Sequence, residues 1–467
     1  MLTTPTRSDD AMALASAVAA GRTSATEAMR AAIAAAKVDP FGAMALLDAE
    51  LGLASAAAYD HAPDPTLPFL GVPTLAKDLG GPFAGIPMRA GSRTLADDVT
   101  ADSDLARRFR ASGLCLFGST TAPEFGLALS SEPAMGPICR NPLDPTRTAG
   151  GSSGGAAAAV ASGIVAIAHA TDAGGSIRVP AACCGLVGLK PSRGGMPAGP
   201  GFGNYLGGIA TELAVCRSVR DTAAAFAAFS GSARGPFPNP EMLGADTSSL
   251  RIGMLTDFGG RYAIDPARQA AIEAAGRSLE CDGHQLIPLA WAEFDAMVTT
   301  SAQVFETIVS VNLAALFEAF SLDKSAAEPL TQAVIENGRA MGAMAVWKQL
   351  DQSVLVSHAL WKMFDRVDVV LTPMLAGPPP LLGHFPNDHG DTTAHFDRMT
   401  AMAPLAALAN IAGCPAITLP FGSDAAGLPV PVQLLAPMGG DLRLLMLAAR
   451  LESEQRWTHR FPVAGLP

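Results

Sequence analysis

The sequence has little charge, few cysteines and no run of apolar residues long enough for a membrane span. Only 16% of the 467 residues are charged and the net charge is −11, so we expect no nucleic-acid partner and no anionic membrane partner. The longest weakly polar run, 154–170, carries Ser162 and Gly163 and is too short to cross a bilayer. The seven cysteines are scattered without CxxC spacing, which is typical of reduced, mostly buried thiols. These absences predict a cytoplasmic protein.

Sequence motifs for common cofactors and metals are also missing. No Gly-Lys-Ser/Thr follows the glycine-rich segment, and no dinucleotide-binding fingerprint is present. His384, His389 and His395 cluster with Asp388 and Asp391, but without the helical spacing of a metalloprotease site, so a solvated loop over the active site is favoured. We therefore expect neither a metal nor a cofactor.

Hydrophobic residues make up 49% of the chain, which is ample for a sizeable core. Short apolar runs such as "GLCLFGST" and "SGIVAIAHATD" alternate with helical patterns, and no internal repeat is present. We predict a single large α/β domain, residues 1–467, with a mixed, mostly parallel, twisted sheet covered by helices on both faces. Segments rich in Gly and Pro predict surface loops at 230–249 and 376–393, and 290–350 is interpreted as a helical insertion or cap.

Two glycine-serine segments carry the chemistry. "TAGGSSGGAAAAVASG", 148–163, places unpaired backbone N–H groups at the start of an alanine-rich helix. In "TDAGGSIRVP", 171–180, the glycines allow a tight turn whose N–H groups converge as an oxyanion hole requires. Ser176 ends that turn and could attack a carbonyl, but a free serine hydroxyl needs a base.

The base is more readily a lysine than a histidine. His169 is the one histidine near these loops and lies within an apolar strand, where a buried, hydrogen-bonded ring is expected. Lys77 ends an apolar strand in "LGVPTLAKDL", and burial there would lower its pKa so that it could accept a proton.

These motifs closely resemble the amidase signature family, Ser-Ser-Lys hydrolases of carboxylic amides and some esters. The resemblance rests on "LGVPTLAKDL", "RNPLDPTRTAGGSSGG", "TDAGGSIRVPA", "GLVGLKPSRG", "LRIGML", "VDVVLTPM", "NIAGCPAITLPFG" and "GLPVPVQLLAP". It covers nearly the whole chain, and it implies that 62–230 is the signature core carrying the catalytic residues and that no metal or cofactor is needed.

The resemblance implies a catalytic role for three side chains. Ser176 would be the nucleophile that forms the acyl-enzyme, Lys77 the ultimate base, and Ser152 the serine that relays the proton between them. In the family this relay serine follows a cis peptide bond.

The resemblance also implies the surrounding roles. The oxyanion hole would consist of the N–H groups of Ala173, Gly174, Gly175 and Ser176. Ser153 and Asp172 would support the loops, and Arg178 would brace the nucleophile turn.

By position, the acyl pocket should draw on 126–135 and 304–320, which are rich in Ala, Leu, Phe and Met, so a small to medium neutral amide is expected. The candidate substrate-binding residues are Gly126, Ser131, Glu132 and Met135. Glu132 stands where relatives often carry asparagine and would favour a substrate with a cationic or hydrogen-bond-donating group.

One residue departs from the family pattern. Pro431, in "GLPVPVQ", replaces a family glycine and is expected to alter a loop away from the triad.

Three functions are compatible with the sequence. The first is a stand-alone amide hydrolase acting on a small molecule, with a homodimer common in the family. The second is the glutaminase subunit of a larger amidotransferase assembly, which the acidic balance disfavours. The third is a non-catalytic binding protein on the same fold, which the presence of Lys77, Ser152 and Ser176 together argues against.

Overall fold

The computed structural model describes residues 8–96, 98–199, 205–232, 235 and 237–467, and these residues form 13 strands and 15 α-helices. The strands are β1 (Met44–Leu47), β2 (Val72–Lys77), β3 (Leu114–Thr120), β4 (Arg140–Asn141), β5 (Asp144–Thr148), β6 (Ile167–Asp172), β7 (Val187–Lys190), β8 (Thr211–Cys216), β9 (Arg251–Met254), β10 (Gln285–Pro288), β11 (Val369–Pro373), β12 (Ala416–Ser423) and β13 (Pro429–Leu435). The helices are α1 (Ala11–Ala19), α2 (Ala25–Lys37), α3 (Ala49–His61), α4 (Asp104–Ala111), α5 (Gly154–Ala161), α6 (Arg178–Cys184), α7 (Tyr205–Gly208), α8 (Val219–Phe229), α9 (Pro266–Cys281), α10 (Asp295–Ala319), α11 (Pro329–Ala340), α12 (Ala343–Phe364), α13 (Thr392–Met402), α14 (Ala406–Ile411) and α15 (Asp441–Glu452). Three short 3-10 helices cover Glu124–Gly126, Trp291–Glu293 and Lys324–Ala326.

The main sheet has eight strands in the order β10-β9-β11-β13-β12-β7-β8-β6. The sheet is mixed, as predicted, and helices flank it. Five of its seven neighbouring pairs are antiparallel, and only β10–β9 and β9–β11 are parallel. The prediction of a mostly parallel sheet is therefore wrong. The cause is local for β12 and β13, because the short turn 424–428 joins them as a hairpin, and a hairpin pairs its strands antiparallel.

A separate sheet of three strands, in the order β1-β3-β2, lies against the edge of the main sheet. Two hydrogen bonds along the shared edge join β2 to the edge strand β6, besides the Lys77 amine bond described below: Thr74 Oγ1 donates to the Ile167 carbonyl at 2.9 Å, and the Lys77 N–H donates to His169 Nδ1 at 3.2 Å. This contact places the end of β2, and with it Lys77, beside the end of β6. The third sheet is the pair β4–β5.

The helical segments begin and end at residues that the chemistry of helix ends favours. Ser24 accepts a hydrogen bond from the Glu27 N–H, and Glu27 accepts one from the Ser24 N–H, which is the capping box expected before α2. Helix α6 ends at Gly185, whose φ of 71° is left-handed, a conformation that glycine adopts without steric cost.

The region interpreted as a helical insertion, 290–350, contains α10, α11 and the first part of α12, which continues to Phe364. Among the described helices, α10 alone is long and apolar enough to cross a membrane by length and composition, and half of its most apolar window is buried inside the protein. Core helices pass the same test. The division of the chain at these boundaries stays a prediction.

All seven cysteines are free thiols, and all except Cys281 are buried. This arrangement agrees with the expectation of mostly buried, unpaired thiols.

Candidate active site

Lys77 lies at the end of β2 and is almost fully buried. Its Nζ is 2.7 Å from Ser152 Oγ and 2.7 Å from Thr171 Oγ1. Burial lowers the pKa of Lys77 to about 7, although the charges of Asp172 and Glu212 act in the opposite direction. An amine with this pKa is neutral in a large fraction of molecules near pH 7, and it can then accept a proton from a hydroxyl hydrogen-bonded to it.

Ser152 lies just before α5, and the Gly151–Ser152 peptide bond is cis, as the resemblance implied. The strand-to-helix turn admits no side chain at position 151, because a Cβ there would lie 2.5 Å from the Ala128 carbonyl oxygen and 2.5 Å from the Ser130 nitrogen. The neighbouring Ser153 is fully buried, and its hydroxyl donates to the Thr171 carbonyl at 3.3 Å. The two adjacent serines thus contact different partners: Ser152 bonds to Lys77, and Ser153 ties α5 to β6.

The turn that carries the predicted nucleophile, Ser176, is called the nucleophile turn below, and it begins at Asp172, the last residue of β6. The Asp172 carboxylate accepts hydrogen bonds from the N–H groups of Gly175, at 2.8 Å, and Ile177, at 3.2 Å. These bonds fold the segment into a compact turn before α6. Ser176, between the two donors, is 7% exposed and lines the same cavity as Ser152.

Glycine is needed on this turn for two different reasons. A Cβ at Gly174 would lie 2.7 Å from the Phe305 ring, and Gly175 has a φ of 109°, which side chains rarely adopt. The Gly175 N–H already donates to Asp172. Of the four N–H groups predicted to form the oxyanion hole, those of Ala173, Gly174 and Ser176 do not donate to Asp172. The oxyanion hole itself stays a prediction.

Arg178 is fully buried and holds the nucleophile turn from behind. Its guanidinium donates to both Asp172 oxygens at 3.0 Å, to Asn410 Oδ1 at 2.7 Å and to Gln433 Oε1 at 2.9 Å. Burial by itself would raise the pKa of Asp172, but Arg178 and Lys190 hold that pKa well below its usual range. The turn is therefore organised around an ionised carboxylate.

Pro431 lies inside strand β13, opposite Pro420 of β12, so its assignment to a loop is wrong. Gln433, two residues further along the same strand, accepts the hydrogen bond from Arg178. Strand β13, in which Pro431 replaces the family glycine, thus contacts Arg178, the residue that holds the nucleophile turn.

Sequence reasoning missed several residues that complete the site. Thr171, which accepts from Lys77, directly precedes the "DAGGS" turn, so its position in the motif was a usable signal. Asn410 Nδ2 donates to the Asp172 carbonyl at 2.9 Å, and Asn410 begins the quoted block "NIAGCP".

Glu212 had no such signal in the sequence. One of its carboxylate oxygens accepts a hydrogen bond from the Gly81 N–H, and the other lies 3.9 Å from His169 Nε2. His169 is buried as expected, with Nδ1 hydrogen-bonded to the Lys77 backbone.

A cavity of about 650 Å³ opens onto Ser152, Thr171 and Ser176. Its apolar wall is formed mainly by Leu79, Met88, Leu95, Phe125, Leu206, Phe305, Val309, Leu313, Leu316, Phe320, Leu322, Phe396 and Met399. Within the described part of the chain, no charged side chain lines this cavity.

Of the four predicted substrate residues, Gly126 lines the cavity and the other three are not among its described lining residues. The Ser131 hydroxyl is tied to the backbone around Gly150 and Ser152. Glu132 Oε2 accepts from the Gly383 N–H at 2.8 Å, outside the cavity. Ser131, Glu132 and Met135 thus lie outside the described lining of this cavity, and their part in substrate binding stays a prediction.

The histidine cluster is only partly the solvated loop expected for it: His384 and His389 lie in the loop before α13, and His384 is exposed. His395 lies on α13, is fully buried, and its Nε2 is 2.8 Å from the Leu127 carbonyl oxygen. That interpretation is therefore wrong for His395. In the described ranges, no three or more His, Cys, Asp or Glu side chains are arranged to hold a metal ion.

Comparison with known proteins identifies the family. The amidase family model matches residues 25–445. The chain belongs to the amidase family. It is 35% identical over 473 aligned residues to AmiC of Mycobacterium tuberculosis, a protein named as an amidase, with 96% of this chain and 95% of AmiC covered. It is 32% identical to the 6-aminohexanoate-cyclic-dimer hydrolase of Paenarthrobacter ureafaciens, with 85% of each chain covered.

Solved structures give the same result. The structure of a 6-aminohexanoate cyclic dimer hydrolase superimposes with a TM-score of 0.90 at 30% identity, covering 97% of this amidase and 98% of that chain. The fold is therefore that of the amidase signature enzymes, and the protein is a hydrolase of carbon–nitrogen bonds.

Proposed function

We propose that this amidase hydrolyses an uncharged carboxylic amide through Ser176, Ser152 and Lys77 with an acyl-enzyme intermediate. The observation that carries the proposal is the buried contact between Lys77 Nζ and Ser152 Oγ, 2.7 Å, at the floor of a cavity that Ser176 also lines. The lowered pKa of Lys77 supports its role as the base, because only the neutral amine can take up a proton.

The order of steps follows from which of these three groups can donate a proton and which can accept one. The Ser176 oxygen attacks the amide carbon, its proton passes to Ser152, and the Ser152 proton passes to neutral Lys77. The negative charge on the carbonyl oxygen is stabilised by the N–H groups of the nucleophile turn. Protonated Lys77 then returns a proton through Ser152 to the departing amine nitrogen, which leaves an ester between Ser176 and the acyl group. Water repeats the sequence, releases the carboxylic acid and restores Ser176.

The cavity supports a neutral substrate with substantial apolar surface. Its wall is mostly Leu, Phe, Met and Val, and the described lining offers no charged side chain to pair with an ammonium or a carboxylate. A zwitterionic amino acid such as glutamine would leave both of its charges unpaired there, which disfavours the alternative of a glutaminase subunit. A cyclic amide made of two 6-aminohexanoate units, the compound in the name of one relative, has the uncharged and largely methylene character that this wall fits.

The test is product release from a panel of amides, measured by mass spectrometry with wild type and Ser176→Ala. The panel contains short aliphatic, aryl, amino-acid, cyclic and ureido amides. We expect turnover of uncharged amides by wild type and a loss of at least about 10⁴-fold in the variant. Trapping of an acyl adduct on the peptide containing Ser176 should occur in wild type alone. Equal turnover by the two proteins would refute the assignment of the nucleophile.

A further inference from the structure

Helix α10 lines the cavity with one face. The lining positions are Phe305, Val309, Asn312, Leu313, Leu316 and, at the residue after the helix, Phe320. Their spacing of three and four residues places them on one side of an α-helix. Five of the six are apolar, so the polar residue on this face, Asn312, has no packing role that explains it.

The amide of Asn312 is available for a ligand. Asn312 is half-buried, and its side chain forms no hydrogen bond with any residue that the structure describes. Thr94, the other polar lining residue outside the catalytic group, differs in this respect because its hydroxyl is 2.8 Å from Ser92 Oγ. A primary amide offers one acceptor oxygen and two N–H donors, so Asn312 can accept from and donate to the same neutral partner.

The distance from the reacting bond to Asn312 can be estimated along the helix. Phe305 contacts the nucleophile turn, since a Cβ on Gly174 would lie 2.7 Å from its ring. Asn312 is seven residues further along α10, which corresponds to about 10 Å along the helix axis. The cavity continues beyond it to Phe320, which is 65% exposed. An elongated substrate extending from Ser176 toward Phe320 would therefore pass Asn312 about halfway.

We propose that Asn312 determines specificity by binding a second, uncharged amide group of the substrate, about 10 Å from the amide that is cleaved. This inference rests on the proposed function and names its substrate class: elongated bis-amides whose two amide groups are joined by a short methylene chain. Two amide groups separated by five methylenes are seven bonds apart, about 8 Å when extended at the rise of an extended peptide chain. An apolar wall alone would bind a plain alkyl chain better than such a compound, because an amide without a partner is costly to bury.

The test compares matched substrates that differ only in the second amide. N-acetyl-6-aminohexanoyl anilide is paired with nonanoyl anilide, and N-(6-acetamidohexyl)benzamide is paired with N-nonylbenzamide, so that both the acyl and the amine side are probed at equal chain length. The measured quantity is the ratio of kcat/KM within a pair, which does not depend on the fraction of enzyme that is folded. In at least one pair, we expect Asn312→Leu to lower the ratio of bis-amide to monoamide by about 10-fold.

A second variant supplies a gain that misfolding cannot imitate. Asn312→Asp places a carboxylate at the same position, where it can pair with an ammonium group. The ratio of kcat/KM for 6-aminohexanoyl anilide to that for nonanoyl anilide, or for N-(6-aminohexyl)benzamide to that for N-nonylbenzamide, should therefore rise about 10-fold over wild type. If both variants keep both wild-type ratios within twofold, the role of Asn312 is refuted while amide hydrolysis stands. If wild type cleaves none of the six compounds, the proposed function fails, and this inference fails with it.

Discussion

The two walls of the cavity differ in how their polar groups are paired. On the catalytic wall, formed by the ends of β2 and β6 and the start of α5, Lys77, Ser152, Ser153 and Asp172 are buried and hydrogen-bonded to one another or to the backbone. On the other wall, called the substrate wall below, helix α10 presents apolar side chains and Asn312, whose amide has no hydrogen-bond partner among the described residues. Fixed polar pairs suit a reaction that must place protons accurately, whereas an apolar face with one free amide suits the selection of a substrate. The comparison predicts that changes to the first wall abolish turnover and that changes to the second alter preference.

Among substitutions that keep Ser176, the largest effect is expected at the base. Lys77→Met keeps most of the length of the side chain but removes the amine, so kcat/KM on any cleaved amide should fall by about 10³- to 10⁴-fold. In wild type, kcat/KM should rise with pH through about 7, because the pKa of Lys77 is lowered to about 7 by burial and the neutral amine is the active form. The measurement is a pH profile of kcat/KM for both proteins.

The residual activity of Lys77→Met should lack this rise. Lys348→Met, on α12 and outside the cavity lining, serves as the matched control and should keep the wild-type profile. A rise near pH 7 that persists in Lys77→Met would show that another group titrates.

The relay serine is the next test of the catalytic wall. Ser152→Ala removes the hydroxyl that joins Lys77 to the cavity, and kcat should fall by about 10²- to 10³-fold. Ser162→Ala, at the opposite end of α5, removes a hydroxyl whose one bond to a described residue is to the Ala159 carbonyl, and it should keep wild-type kcat. Equal kcat for Ser152→Ala and Ser162→Ala would exclude a relay through position 152.

The contact between Lys77 and Ser152 agrees with the sequence prediction, the lining of the substrate wall could be predicted only in part, and the catalytic roles stay predictions. Glycine-rich segments indicate backbone conformations that few other residues adopt, so "GGSSGG" and "TDAGGS" pointed to the two serines. The apolar run that ends in Lys77 predicted a strand with a buried end. The direction of the strands was missed because it depends on how distant segments connect: β7 and β8, for example, pair antiparallel across the segment 191–210. The local pattern of apolar and polar residues does not indicate how such distant segments pair.

Residues after 127 show the same limit at the site itself. Their position between two motifs suggested a pocket lining, but Glu132 accepts a hydrogen bond from the Gly383 N–H outside the cavity, and the Ser131 hydroxyl is bonded to the backbone of the turn that carries Ser152. Helix α10 was expected near the acyl group because its region is apolar. Which of its faces meets the cavity depends on docking against the core, and so Asn312 could not be selected from its neighbours.

A third test concerns the support behind the catalytic wall. Arg178→Met leaves the Asp172 carboxylate buried without its ion-pair partner, and breaking one side of a buried pair costs about 3 to 5 kcal/mol. The free energy of unfolding, measured by urea titration at pH 7, should fall by this amount. Arg277→Met removes the exposed partner of Glu273 and should change the same quantity by less than about 1 kcal/mol. A loss for Arg178→Met no larger than that of Arg277→Met would mean that water or another cation replaces the guanidinium.

The smallest effect is expected where the substrate wall meets solvent. Phe320 is 65% exposed and lines the cavity, whereas Met344 on α12 is 80% exposed and is not among the described lining residues. Phe320→Ala should lower the ratio of kcat/KM for nonanoyl anilide to that for butanoyl anilide by about three- to tenfold, because the long chain loses an apolar contact that the short chain never reaches. Met344→Ala removes a similar apolar surface and should leave this ratio unchanged. If both variants lower the ratio equally, the long chain leaves the cavity along α12 instead of past Phe320, and the halfway position assigned to Asn312 would have to be moved with it.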